Sequence, residues 1–146
     1  MQKTIYFDMD GTLADFYGTP DWLNCLENFD VKPYEEAQVL FNFSALARLL
    51  HRAQRLGYKV GIISWLSMTG TREYNDRVTQ VKLDWLKIHL PSVEWDVIHI
   101  TEYGVPKHSF AEIGDILFDD NAEIREAWGE NAFDETNILD VLRALQ

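Results

Sequence analysis

The sequence predicts an α/β fold: a three-layer, Rossmann-like parallel sheet with helices on both faces and a small helical cap inserted after the first strand. Three observations carry that prediction. Short apolar runs rich in β-branched and aromatic residues alternate with longer segments of helical periodicity. The strongest apolar runs end in polar residues able to do chemistry, and the stretch from 15 to 43 is too long and too aromatic for a plain connection. Strands that alternate with helices imply right-handed crossovers, and therefore parallel strands covered on both faces.

Thr4-Ile5-Tyr6-Phe7 reads as a buried first strand ended by the polar turn Asp8-Met9-Asp10-Gly11. The cap follows from Asp15 to Phe43, with Phe16, Tyr17, Trp22, Phe29, Tyr34 and Phe41 on it. It is expected over the carboxyl edge of the sheet, where open α/β sheets place their ligands. Ser44 reads as an N-cap, followed by Leu46, Leu49, Leu50 and Ala53 at helical spacing and closed by Gly57. Tyr58 to Ser64 is a second strand whose apolar end stops at a hydroxyl.

Val78, Val81, Trp85 and Ile88 mark one face of a helix that ends near Pro91. A third strand is expected from Asp96 to Ile100, a short helix from about Lys107 to Ile113, and a strand from Asp115 to Asp119. A helix from Asn121 to Trp128, a brief run at Ala132-Phe133 and a last helix from Asn137 complete the series. Residues 1–146 are expected to form one domain, since a chain of this size buries roughly two thirds of its unfolded surface around one core.

The 13 Lys+Arg against 24 Asp+Glu give a formal net charge of -11, which repels a polyanion and argues against a nucleic-acid polymer as partner. A small phosphorylated substrate is compatible with this charge, because a bound divalent cation reverses the field inside one cleft. The single Cys25 cannot form an intramolecular disulfide, and His51, His89, His99 and His108 show no metal-ligand spacing. The opening apolar run meets Asp8 too soon for a signal peptide, and no other run approaches the ~18 residues of a membrane span, so a cytoplasmic protein with no membrane partner is expected.

Asp8 and Asp10 lie two apart at the end of a strand, so both carboxylates emerge on one side while Gly11 lets the backbone turn tightly. Two carboxylates so placed resist joint ionisation unless a cation lies nearby. A calcium loop starting at Asp8 fails by counting, since Thr12, Leu13 and Thr19 fall where an oxygen ligand, a glycine and a closing glutamate belong; a plain solvated turn is the other structural reading. Asp119-Asp120 ends a second apolar strand, and a parallel sheet brings it to the same edge. Asp8, Asp10, Asp119 and Asp120 thus form a candidate magnesium site. Ser64 and Lys107 fall at that edge too, and supply the hydroxyl donor and positive charge that a phosphate dianion requires.

Asp8-Met9-Asp10-Gly11-Thr12, Ile62-Ile63-Ser64, Lys107 and Asp119-Asp120 together resemble, in order, the four motifs of the haloacid dehalogenase-like (HAD) superfamily. Within it, the opening Asp8 to Phe16, Lys82-Leu83-Asp84-Trp85-Leu86 and Gly114 to Asp120 resemble the 5′(3′)-deoxyribonucleotidase branch. The resemblance implies a Mg²⁺-dependent phosphomonoesterase in which Asp8 attacks phosphorus and Asp10 shuttles the proton. It also implies backbone phosphate donors after Asp10, at Gly11 and Thr12, a metal contact from the Asp10 carbonyl, direct ligation by Asp120, and an orienting role for Asp119.

Substrate choice is expected from Phe16, Tyr17, Trp22, Phe41 and Trp65, as a flat apolar wall for a base or sugar. The implied substrate is a small phosphorylated metabolite such as a (deoxy)nucleoside monophosphate, with a phosphosugar as the alternative. Two readings of another class stand beside it. A receiver-type signalling domain places its phosphoacceptor at the end of a middle strand, whereas here the acidic pair begins at strand one; an idle phosphate-binding module keeps the pocket without turnover.

Overall fold

The computed structural model describes residues 2–146. Five strands form one all-parallel sheet: β1 (Thr4–Phe7), β2 (Lys59–Trp65), β3 (Val97–Thr101), β4 (Ile116–Phe118) and β5 (Ala132–Phe133), in spatial order β3-β2-β1-β4-β5. Five helices lie in the connections between them, α1 (Trp22–Glu27), α2 (Lys32–Glu36), α3 (Phe43–Arg55), α4 (Arg72–His89) and α5 (Ala122–Trp128), and α6 (Ile138–Arg143) follows β5. The predicted three-layer parallel architecture is the one observed.

Alternation along the central strands builds two cores. Ile5 and Phe7, Val60 and Ile62, and Ile116 and Phe118 face a layer made by α3, α4 and α6 through Leu46, Leu50, Trp85 and Leu142. Tyr6, Ile63 and Leu117 face the opposite layer, where Phe110, Ile124 and Trp128 cover them. Burial of side chains this large, each worth roughly 1.5–3 kcal/mol, holds the register that fixes where each strand ends. Phe7 lies opposite Ile62 on one side and Phe118 on the other, so the residues that follow β1 and β4 emerge together, while β2 runs on past them to Trp65.

Several boundaries depart from the predicted ones for identifiable reasons. Asn42, not Ser44, caps α3, because its extended backbone lets the side chain accept from Ala45 N at 3.1 Å. The short helix expected to Ile113 is a single 3₁₀ turn, Lys107–Phe110. Asp115 stops it there: its carboxylate accepts from Glu112 N at 2.9 Å and Thr4 N at 2.8 Å, turning the chain straight into β4. On α4 the buried face is Tyr74, Val78, Lys82, Trp85 and Leu86, while Ile88 is 69% exposed.

The segment after β1 leaves and returns at one point, since Asp15 N donates to Gln38 O at 2.8 Å and Leu40 N to Leu13 O at 3.0 Å. Between those ties, α1 and α2 lean on α4 through a separate cluster of Phe16, Tyr34, Tyr74 and Val78. Among the described residues no helix is long and apolar enough to cross a membrane.

Candidate active site

The loop after β1 is wound round one carbonyl. Met9 O accepts from the backbone N–H groups of Thr12, Leu13 and Ala14 at 3.1, 2.9 and 2.9 Å, and Gly11 N donates to Ala14 O at 2.8 Å. Gly11 sits at φ +84°, and a Cβ built on it would lie 2.3 Å from Asp120 Oδ2. Both facts demand glycine: the left-handed backbone, and the carboxylate pressed against the missing side chain. Asp8 is anchored separately, its N–H extending the ladder to Phe118 O at 2.9 Å.

Around this loop the chain gathers its charges. Lys107, only 3% exposed, donates to Asp8 Oδ1 at 2.9 Å and to Asp119 Oδ2 at 2.7 Å. Asp119 Oδ1 accepts from Asn121 N at 3.0 Å, so both of its oxygens are held by the protein. The Thr12 hydroxyl donates to Asp8 Oδ2 at 2.9 Å and accepts from Asp120 N at 3.2 Å, which ties the two acidic stretches together across 108 residues. One carboxylate oxygen from each of Asp8, Asp119 and Asp120 lies within 4.8 Å of the others.

This is an oxygen-donor set with surplus negative charge. Four carboxylates, Asp8, Asp10, Asp119 and Asp120, face two ammonium groups, Lys82 and Lys107, leaving an excess of two negative charges. Burial, and then the charge of Asp8, push Asp119 up to about 6 and Asp120 up to about 8. Burial also raises Asp10, against the opposing pull of Lys82. On Lys107 burial opposes the charge, but Asp8 and Asp119 outweigh it and hold the ammonium above the ordinary lysine range. Hard oxygen ligands carrying two uncompensated charges fit a small divalent cation such as Mg²⁺.

A cavity of about 480 Å³ opens from the carboxylates. Asp8, Asp10, Lys107, Asp119 and Asp120 line its floor, and Phe16, Tyr17, Trp22 and Trp65 line its walls. Trp65 is fixed by its Nε1 donating to Val105 O at 2.8 Å and stands with its ring 5.4 Å from Lys107 Nζ. Tyr34 and Tyr103 complete the aromatic wall; neither has a sequence signal that separates it from a core aromatic.

Four expectations need correction or refinement. Phe41 is not in the cavity wall: it packs against Phe43, with ring centroids 5.3 Å apart, on the main core. Gly11 and Thr12 are not phosphate donors, because both backbone N–H groups bond within the loop and the Thr12 hydroxyl is spent on the two aspartates. Ser64 is 1% exposed and lies behind the cavity wall, with Ser67 lining the cavity instead. What stands between Ser64 and Asp10 is Lys82, whose Nζ donates to Ser64 Oγ at 2.7 Å and to Asp10 Oδ2 at 3.0 Å. Helical spacing places position 82 on the buried face with Val78 and Trp85, and a charged residue there is the signal that would have found it.

No protein-family profile matches the sequence, and a search of curated proteins returns no match. Among solved structures the chain is similar to the D,D-heptose 1,7-bisphosphate phosphatase of Burkholderia thailandensis, with a TM-score of 0.59 and 10% identity over 97% of each chain. It is also similar to the HAD domain of the effector protein Lem4 from Legionella pneumophila, with a TM-score of 0.41 and 14% identity over 91% of this chain and 84% of that one. The first likeness, end to end in both chains, shows that the fold is the HAD-like one.

Proposed function

We propose that the chain is a Mg²⁺-dependent phosphomonoester hydrolase that works through an aspartyl-phosphate on Asp8. The observation that carries this is the convergence of Asp8, Asp10, Lys107 and the Asp119-Asp120 pair at the floor of one cavity. The carboxylates of Asp8 and Asp120 and the carbonyl of Asp10 would hold the cation, whose charge lets an anionic nucleophile approach a phosphate dianion.

Asp8 attacks the phosphorus through a carboxylate oxygen while Asp10 gives its proton to the departing ester oxygen, so the P–O bond to the leaving group breaks as the aspartyl-phosphate forms. Asp10, now ionised, takes a proton from a water molecule whose oxygen attacks the same phosphorus, which frees inorganic phosphate and restores Asp8. Lys107, fixed between Asp8 and Asp119, holds the nucleophile in place and offsets charge on the phosphoryl oxygens.

The segment around α1 and α2 acts as the cap that selects the substrate. Lys107 is the only cation that lines the cavity among the described residues, and the walls are aromatic, so the site accommodates one phosphate and a flat, weakly charged body. Arg72 lies outside this cavity, and Thr71 caps α4. These features favour a (deoxy)nucleoside monophosphate over a bisphosphorylated sugar. Strand position does not separate this reading from a receiver domain, since β1 is the central strand in space; the aromatic cavity beside Asp8 favours the hydrolase.

The test is a phosphatase screen of nucleoside monophosphates, sugar phosphates and an aryl phosphate, with and without Mg²⁺, with Asp8→Asn as control. Turnover that requires both Mg²⁺ and Asp8 and is highest on nucleoside monophosphates is expected. Preference for phosphosugars would reject the substrate class, and absence of turnover on every compound would reject the enzyme.

A further inference from the structure

Among the described residues, Lys82 is the one buried cation that the phosphatase reading above leaves without a task. It projects from the middle of α4, is 1% exposed, and spends its three N–H bonds on Asp10 Oδ2 at 3.0 Å, Ser64 Oγ at 2.7 Å and Trp65 O at 2.7 Å. The ring of Tyr34, from the segment over the sheet, lies 5.1 Å from the same nitrogen. A lysine costs several kcal/mol to bury without partners, and an apolar residue would fill the same place beside Val78 and Trp85 without that cost.

The bonds are also directional. Lys82 engages only one oxygen of Asp10, which lines the cavity, and so fixes the side chain about its last torsion with Oδ1 left for the substrate. Because Ser64 accepts from Lys82, and Trp65 accepts through its carbonyl, the end of β2 is locked to the loop after β1 through this single nitrogen.

We infer that Lys82 is a positioning residue for the reaction: it holds Asp10 so that one carboxyl oxygen meets the leaving group, and it does so from a helix outside the four motifs. The inference rests on the phosphatase reading, and it assigns the hydroxyl at the end of β2 to the lysine rather than to the phosphate. A misoriented Asp10 cannot protonate a leaving oxygen, and the loss is felt in proportion to how much the leaving group needs the proton.

Phenyl phosphate and p-nitrophenyl phosphate differ little in shape but strongly in that need, and both carry the aromatic body the cavity accepts. For Lys82→Met with Mg²⁺ present, kcat/KM is expected to fall about a hundredfold on phenyl phosphate and about tenfold or less on p-nitrophenyl phosphate. Lys82→Arg, which keeps the charge and the donors, should recover part of the loss on phenyl phosphate. Circular dichroism and thermal melting establish that each variant folds, and if Lys82→Met does not, the same inequality is read on Lys82→Gln and Lys82→Arg. Equal losses on both esters, with an active wild type, overturn this inference alone. No wild-type turnover on either ester overturns it together with the proposed function.

Discussion

The floor and the roof of the cavity are built from different forces. On the floor, Asp8, Asp119 and Lys107 are 7, 1 and 3% exposed and are joined by bonds of 2.7 to 2.9 Å between charged groups. Across the cavity, Tyr17 and Leu23 are 54 and 55% exposed, and Phe16, Tyr17 and Trp22 meet through ring contacts of 5.1 to 5.5 Å. Charged hydrogen bonds in a buried place tolerate little displacement, whereas dispersion between rings falls away gradually. On the proposed function the floor sets which reaction is possible, and the roof sets what is held while it happens. Substitutions in the two regions should fail in different kinetic terms.

The largest effect should come from Asp8, the proposed nucleophile. Asp8→Asn is expected to lower kcat by about a thousandfold or more while the protein still folds, as steady-state kinetics and a thermal melt would show. Residual turnover near the wild-type level would break the distinction between floor and roof at once. Next is Gly11→Ala, which forces a side chain into a backbone at φ +84° and against Asp120 Oδ2, 2.3 Å from where its Cβ must go. It should cost about 1 kcal/mol or more of stability and, by displacing Asp120, abolish the response of the melting temperature to Mg²⁺. An unchanged Mg²⁺ response would show that Asp120 is not a ligand.

The charge excess makes a third prediction, in pH. The ordinary carboxyl value is 3.8, and in the metal-free protein Asp119 and Asp120 are raised to about 6 and about 8. Stability from groups so raised is fully present below about 3.8 and is lost as the pH rises through about 6 and then about 8. The metal-free melting temperature should therefore fall across that window. Mg²⁺ must displace those protons, so the stabilisation it gives should grow with pH, approaching about 2.7 kcal/mol at a hundred times its Kd. A Mg²⁺ effect that shrinks as the pH rises would contradict the assignment of these carboxylates to the metal.

The smallest effect belongs to the roof. Trp22→Ala removes one wall of the cavity and touches none of the floor, so KM for an aromatic monophosphate should rise about tenfold with kcat little changed. A selective fall in kcat would mean that the wall also closes the site for chemistry.

The same division governs how much of the molecule was legible in the sequence. Asp8, Asp10 and Asp119-Asp120 were readable because each lies just past an apolar strand, and a parallel sheet aligns such ends whatever the connections do; Lys107 stands apart from β3, on the 3₁₀ turn that follows it, and was read from its charge and its order among the motifs. Phe41 was misassigned because an aromatic residue in the inserted segment has the same local pattern whether it lines the cavity or, as here, packs on Phe43. Gly11 and Thr12 were misassigned because sequence spacing says nothing of where backbone N–H groups go, and here Met9 O and Ala14 O take them. Lys82 entered the sequence reading only as part of a resembling stretch and was given no role, because helical periodicity is read from apolar positions and a lysine on that face registers as a gap. Its three acceptors come from two separate strand ends, and only tertiary structure brings them together.

The central claim is that Asp8 carries the phosphoryl group during turnover. Acid quenching of the wild-type protein during hydrolysis of p-nitrophenyl phosphate with Mg²⁺, followed by mass spectrometry of its peptides, measures this directly. One phosphoryl group on the peptide containing Asp8, absent from Asp8→Asn, is the expected result. Continued turnover with the label on another residue would contradict it.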